Sequence, residues 1–217
     1  MLPPTVLHPV SLPDFVRYLV DHHATPTNLV VCSSRADFEK HLLYCLETFP
    51  APQTGVDQLL VPTLDNLFTT STIRLTFCAS LETLRAHLSS LTAKSPDRPT
   101  APPSVTSTPF SRTDAHPILA LLSPIALHRE TTSFSAQGLS RTLAIAVEAA
   151  AYRKQKLIFA ESDTDPWAEK LSILNVTTKS FGIGDKGWAG RTVTARSVAE
   201  RWCRFERPRV STWGREE

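Results

Sequence analysis

Glycine is scarce in this chain. Seven are spread over 217 residues and the first is Gly55, so no glycine-rich phosphate loop can be built before that position. The four cysteines, Cys32, Cys45, Cys78 and Cys203, lie far apart within apolar runs. With no C-x-x-C and no Cys/His cluster, no zinc site is expected, and buried free thiols in a reducing compartment are. No apolar run approaches the ~20 residues of a membrane-spanning helix. The N-terminus, "MLPPTVLHPVSLPDF", lacks the basic segment and apolar run of a secretory signal. Strong charge of one sign is missing as well, since the formal balance is only +2. These absences point to an intracellular soluble protein without contact to a membrane.

What is present suffices for one domain. Hydrophobic residues make up 41% and charged residues 20%, enough to bury a core at this length without disulfides. The charge is uneven: from Lys179 to Arg215 nine basic residues face Asp185, Glu200 and Glu206, about +6, while the rest is slightly acidic.

The pattern alternates between strand and helix. "TNLVVCS" (27–33) reads as a buried strand, followed by a helix in "SRADFEKHLLYCLETF" with Ser34 as its cap and Phe38, Leu42, Cys45, Leu46 and Phe49 at helical spacing. "GVDQLLVPTLDNLFTT" (55–70) is helical around Pro62, "TIRLTFC" (72–78) is a strand, and "SLETLRAHLSSL" (80–91) is a helix. Residues 93–115 hold five prolines and many Ser and Thr, the composition of an insertion loop; Ser95-Pro96 and Thr108-Pro109 within it fit proline-directed phosphorylation. "HPILALLSPIALH" (116–128) is the most apolar stretch and the candidate central strand. "SAQGLSRTLAIAVEAAAYRKQ" is a helix with Leu139, Leu143, Ala146, Val147 and Ala150 on one face, and "KLIFAES" (156–162) is another buried strand. Consecutive strands then follow in "KLSILNVTTKSF", "GRTVTARSV" and "RWCRFE". The whole predicts an α/β fold with a mostly parallel central sheet and antiparallel strands at its C-terminal edge.

"SFGIGDKGWAG" (180–190) contains G-x-G-x-x-G at Gly182, Gly184 and Gly187. A dinucleotide loop joins a strand to a helix whose N-terminus receives the pyrophosphate. Here "WAGRTVTARSV" follows, β-branched and alternating, so the glycines serve a hairpin turn where φ is positive. No dinucleotide, other cofactor or metal is expected.

From His116 to Glu206 the order of pieces resembles the RecA family of recombination ATPases, particularly the eukaryotic recombinase and its paralogues. The pieces are an apolar strand into "SPIALHR", the loop "SFSAQGLSR", a long helix, "KLIFAES", "DPWAEKL", the glycine-containing hairpin and "RWCRFE". The resemblance implies a RecA-like three-layer sandwich, a single domain over 1–217 carrying the insertion loop 93–115 and a C-terminal tail 207–217. It also exposes departures. Where the family has its phosphate loop after the first strand, this chain has "NLVVCSSRADFEKHLL", and Lys40 is a helix residue. The family's magnesium-binding Asp falls on Leu122 or Ser123, and its sensor Gln on Glu161, which would repel a γ-phosphate. Without cradle and metal ligand, phosphoryl transfer lacks positioning and charge neutralisation, so the resemblance is to a non-hydrolysing member.

Such a member would be a nuclear accessory subunit, as in the Shu complex, pairing with another RecA-like protein and supporting recombination on single-stranded DNA. The alternative is a structural subunit of an Elongator-type RecA-like ring acting on tRNA in the cytoplasm. Lys179, Lys186, Arg191 and Arg196 could contact phosphates and Trp188 could stack on a base; the same charges also fit a solvated hairpin face. Partner contacts are expected from the N-terminal segment, with Phe15, and from Trp213 in the tail. For an unrelated enzyme, His116, His128, Glu130, Glu148 and Glu161 are scattered, and no G-x-S-x-G elbow exists. His128 and Arg129 sit where α/β proteins place ligands, but a structural histidine explains the pair as well.

Overall fold

The computed structural model describes residues 2–48, 67, 70–93, 116–161, 165–173 and 192–208. Among these the chain runs β1 (Thr5–Leu7), α1 (Leu12–His22), β2 (His23–Val31), α2 (Arg35–Thr48), β3 (Ile73–Phe77) and α3 (Leu81–Ala93). It continues with β4 (His116–Leu122), α4 (Pro124–Arg129), α5 (Ala136–Arg153), β5 (Lys156–Ala160), a 3₁₀ turn at Pro166–Ala168, β6 (Lys170–Ser172), β7 (Thr192–Thr194), α6 (Ala195–Ala199) and β8 (Arg204–Glu206).

The layering follows from strands that are apolar on both sides. Along β4, Leu119 and Leu121 enter one core while Ile118, Ala120 and Leu122 enter another; along β5, Leu157 and Phe159 separate in the same way from Ile158 and Ala160. A strand of this kind needs cover on each face. α1 and α2 supply one layer through Leu12, Phe15, Leu19 and Cys45. α3, α5 and α6 supply the other through Leu84, Leu88, Leu139, Leu143, Ala146 and Val198. The result is an α/β three-layer arrangement around a six-stranded sheet of order β3-β2-β4-β5-β1-β8. All five neighbouring pairs in it run parallel. The helices change face where the chain reverses direction at β3, as right-handed crossovers require.

Local chemistry sets the helix ends. Ser11 caps α1 by accepting the Asp14 N–H at 3.2 Å, with Pro13 in the first turn. Ser135 caps α5 by accepting the Gly138 N–H at 3.0 Å, and Lys154 closes that helix in the left-handed region at φ 56°. The buried face of α5 is Gly138, Leu139, Thr142, Leu143, Ala146, Ala149 and Ala150; of the stripe expected from the spacing, Val147 is only half-buried.

Several expectations need correction. The first strand of the sheet is β1, not residues 27–33: Thr5–Leu7 lies between β5 and β8. The N-terminal segment is therefore core. Leu7, Leu12 and Phe15 are all at 0–1% exposure, so Phe15 offers no surface to a partner. The central strand stops at Leu122, because Ser123 adopts φ 58° and Pro124 opens α4. In the described part of "GRTVTARSV" the strand is Thr192–Thr194. Thr194 then accepts the Ser197 N–H at 3.2 Å and caps α6. The antiparallel strands form a separate two-stranded sheet, β6 with β7, while β8 joins the main sheet parallel to β1. The helix assigned to 55–70 falls almost wholly outside the described residues. So do the insertion loop from 94 on, the glycine hairpin and the tail beyond 208.

Because Phe15 is a fully buried ring, Phe15→Ala should cost about 3–5 kcal/mol of stability in urea unfolding. A loss under about 1 kcal/mol would show that α1 is not seated on the sheet as described.

Candidate functional site at the carboxyl edge of the sheet

In open α/β sheets ligands bind beyond the carboxyl ends of the strands, where adjacent strands send their connections to opposite faces. Here β1 and β5 are such a pair, as are β2 and β4. The edge is lined by His8 to Ser11 after β1, Cys32 to Ser34 after β2, Cys78 to Ser80 after β3, Ser123 after β4 and Glu161 after β5.

At four helix starts along this edge a backbone N–H is engaged by a side chain of the protein itself. Ser11 accepts from Asp14 N at the start of α1 and donates to the Asp14 carboxylate at 2.6 Å. Ser34 and Asp37 repeat the arrangement at α2, with 3.1 Å from Asp37 N to Ser34 Oγ and 2.5 Å between side chains. Ser80 accepts from Thr83 N at 3.2 Å on α3. At α4, Glu161 Oε1 accepts the Ile125 N–H at 2.6 Å. Orphan N–H groups and the positive end of a helix dipole are what a phosphate exploits. Here they are filled by serines, and carboxylates stand beside them.

Glu161 is the perturbed carboxyl of this edge. It is 5% exposed. Burial pushes its carboxyl up to about 8; the N–H groups of Ile125 and Ala126 and the charge of Arg129 pull the other way. The sequence placed Glu161 where a γ-phosphate would be repelled; the structure turns it into the N-terminus of α4. Leu122 and Ser123, the positions on which the magnesium-binding Asp of the resembled family falls, carry no carboxylate, and Leu122 packs in the core at 2% exposure. The loop after the true first strand, "HPVS", is as free of glycine as the one after β2. Among the described residues no group of three His, Cys, Asp or Glu side chains could hold a metal ion.

Other candidate chemistry resolves into structure. Burial raises the Cys32 thiol well above its ordinary range, helped by Glu161 and Cys78. Burial likewise raises Cys78, and it pushes Cys203 up to about 12. All four cysteines are buried and outside any disulfide. His128 is buried and pushed down to about 4, mainly by desolvation, with Arg85 adding to the effect and a hydrogen bond to Ser133 opposing it. Neutral His128 donates through Nδ1 to the Ser133 carbonyl at 3.3 Å and accepts through Nε2 from Thr142 at 3.0 Å. Arg85 completes the group by donating to Thr142 Oγ1 and the Gly138 carbonyl, both at 3.0 Å. Gly138 has no substitute here, since a β-carbon would lie 2.0 Å from the Ser133 oxygen. His128 thus ties α4 to α5 and α3. Its neighbour Arg129 pairs with Glu169.

One histidine at the edge does meet a carboxylate. His8 Nε2 is 3.5 Å from Asp165 Oδ1, and its ring stands edge-on to Phe205. Of the proposed nucleic-acid contacts, Arg196 alone lies among the described residues. It is exposed, pairs with Glu200 at 2.8 Å and lies 4.7 Å over the Phe205 ring. Lys179, Lys186, Trp188, Arg191 and the partner candidate Trp213 lie outside the described residues. The sequence reading missed Ser11 with Asp14, whose S-x-x-D spacing matches that of Ser34 and Asp37 and marks a helix start.

A family model described as SPAC22G7.03-like matches residues 110–206, which is under half of the chain and runs from just before β4 through β8. No curated protein matches the chain.

Two outcomes follow from the buried groups. The Glu161 carboxyl sits near 8 in the folded state against an ordinary 4.5. The native chain therefore holds a proton that the unfolded chain releases in between. This contribution to stability is full below about 4.5 and lost as pH rises through 8. Glu161→Gln keeps an acceptor for Ile125 and should remove the fall, so urea midpoints of variant and parent should diverge between pH 5 and pH 9. Parallel profiles would refute the buried neutral carboxyl. The thiols should react with a chromogenic disulfide reagent at neutral pH only on unfolding; rapid native reaction of Cys32 or Cys78 would contradict their burial.

Proposed function

We propose that this chain is a non-catalytic, RecA-like accessory subunit that pairs with another RecA-like protein in support of homologous recombination. The observation that carries the reading is the self-capped carboxyl edge. Ser11, Ser34 and Ser80 engage the N–H groups at the starts of α1, α2 and α3, and Glu161 does so at α4. Phosphoryl transfer depends on backbone and cationic groups that cradle phosphate and on a metal that neutralises developing charge. An edge filled with serine hydroxyls and carboxylates opposes both.

The resemblance over 116–206 supports the RecA-like part of the proposal, since the apolar strand, long helix and second apolar strand it relies on are β4, α5 and β5 in that order. The accessory role, the RecA-like partner, single-stranded DNA and a nuclear location follow from that resemblance. With Phe15 in the core, the tail with Trp213 is the remaining candidate anchor from the sequence. A Trp at an interface centre contributes about 2 kcal/mol or more.

Two experiments test the proposal. Millimolar Mg-ATP should leave the melting temperature unchanged. A ligand with a dissociation constant near ~10 μM would add roughly 2.7 kcal/mol at about 100-fold excess, so a clear upward shift would overturn the pseudo-ATPase reading. The tagged full chain, purified from its native cells, should bring down a RecA-like ATPase, and Trp213→Ala should weaken that association without changing the chain's own unfolding midpoint. Recovery of tRNA-modifying ring subunits instead would move the function to the Elongator-type alternative.

A further inference from the structure

We draw no further inference here: the strongest candidate, the exposed apolar side chains Leu43 and Tyr44 of α2 and Leu75 of the edge strand β3, carries nothing because nothing in the structure shows what covers them.

Discussion

The rest of the structure depends on the burial of β4 and β5 from both sides. Leu119, Leu121, Leu157 and Phe159 face one helical layer, and Ile118, Ala120, Ile158 and Ala160 face the other. Each large side chain removed from water in this way stabilises the fold by about 1.5–3 kcal/mol. The two cores can only be closed together, because the same short strands feed both. That constraint draws in the N-terminal segment. With α2 alone, the layer over Ile158, Ala160 and Leu122 would lack Leu12, Phe15 and Leu19. Residues 2–22 are therefore part of the domain rather than an appendage to it.

The same geometry gathers six strand ends at one edge, where comparable folds use helix N-termini to hold anions. At four of these helix starts a side chain of this protein engages a backbone N–H. At α4 the substitution is most explicit. A buried carboxyl from the end of β5 takes the N–H of Ile125, and desolvation costs it so much that it keeps a proton near neutral pH. A neutral acid can serve there as acceptor without an unpaired charge in the core. The arrangement stabilises the corner between β4, β5 and α4 and engages the Ile125 N–H there.

His128 makes a related point about reading chemistry from position. Its place after a central strand invites a catalytic assignment. Its two ring nitrogens are both used, however, one on the Ser133 carbonyl and one on Thr142, which also receives Arg85. A buried network whose members are all paired fixes the relative positions of three helices. The close approach of Gly138 to Ser133 is part of that fixation.

The sequence by itself determined the elements whose signal is local. Periodicity located α2, α3 and α5, the capping serine located the start of α2, and continuous apolar runs located β2, β4 and β5 as buried strands of an α/β fold. The missing glycines excluded a phosphate loop whichever strand comes first. The tertiary structure alone decided what depends on distant partners. β1 has three residues among prolines, too few for a periodic signal, and it is a strand because β5 and β8 flank it. Phe15 looked like a free anchor until the sheet beneath α1 buried it. Three-residue segments such as β7 and β8 carry β-branched or aromatic residues either way, and pairing assigns one to a small antiparallel sheet and the other to the main parallel one. A short strand has little intrinsic preference to oppose its surroundings, so the backbone hydrogen bonds available from neighbours fix its place.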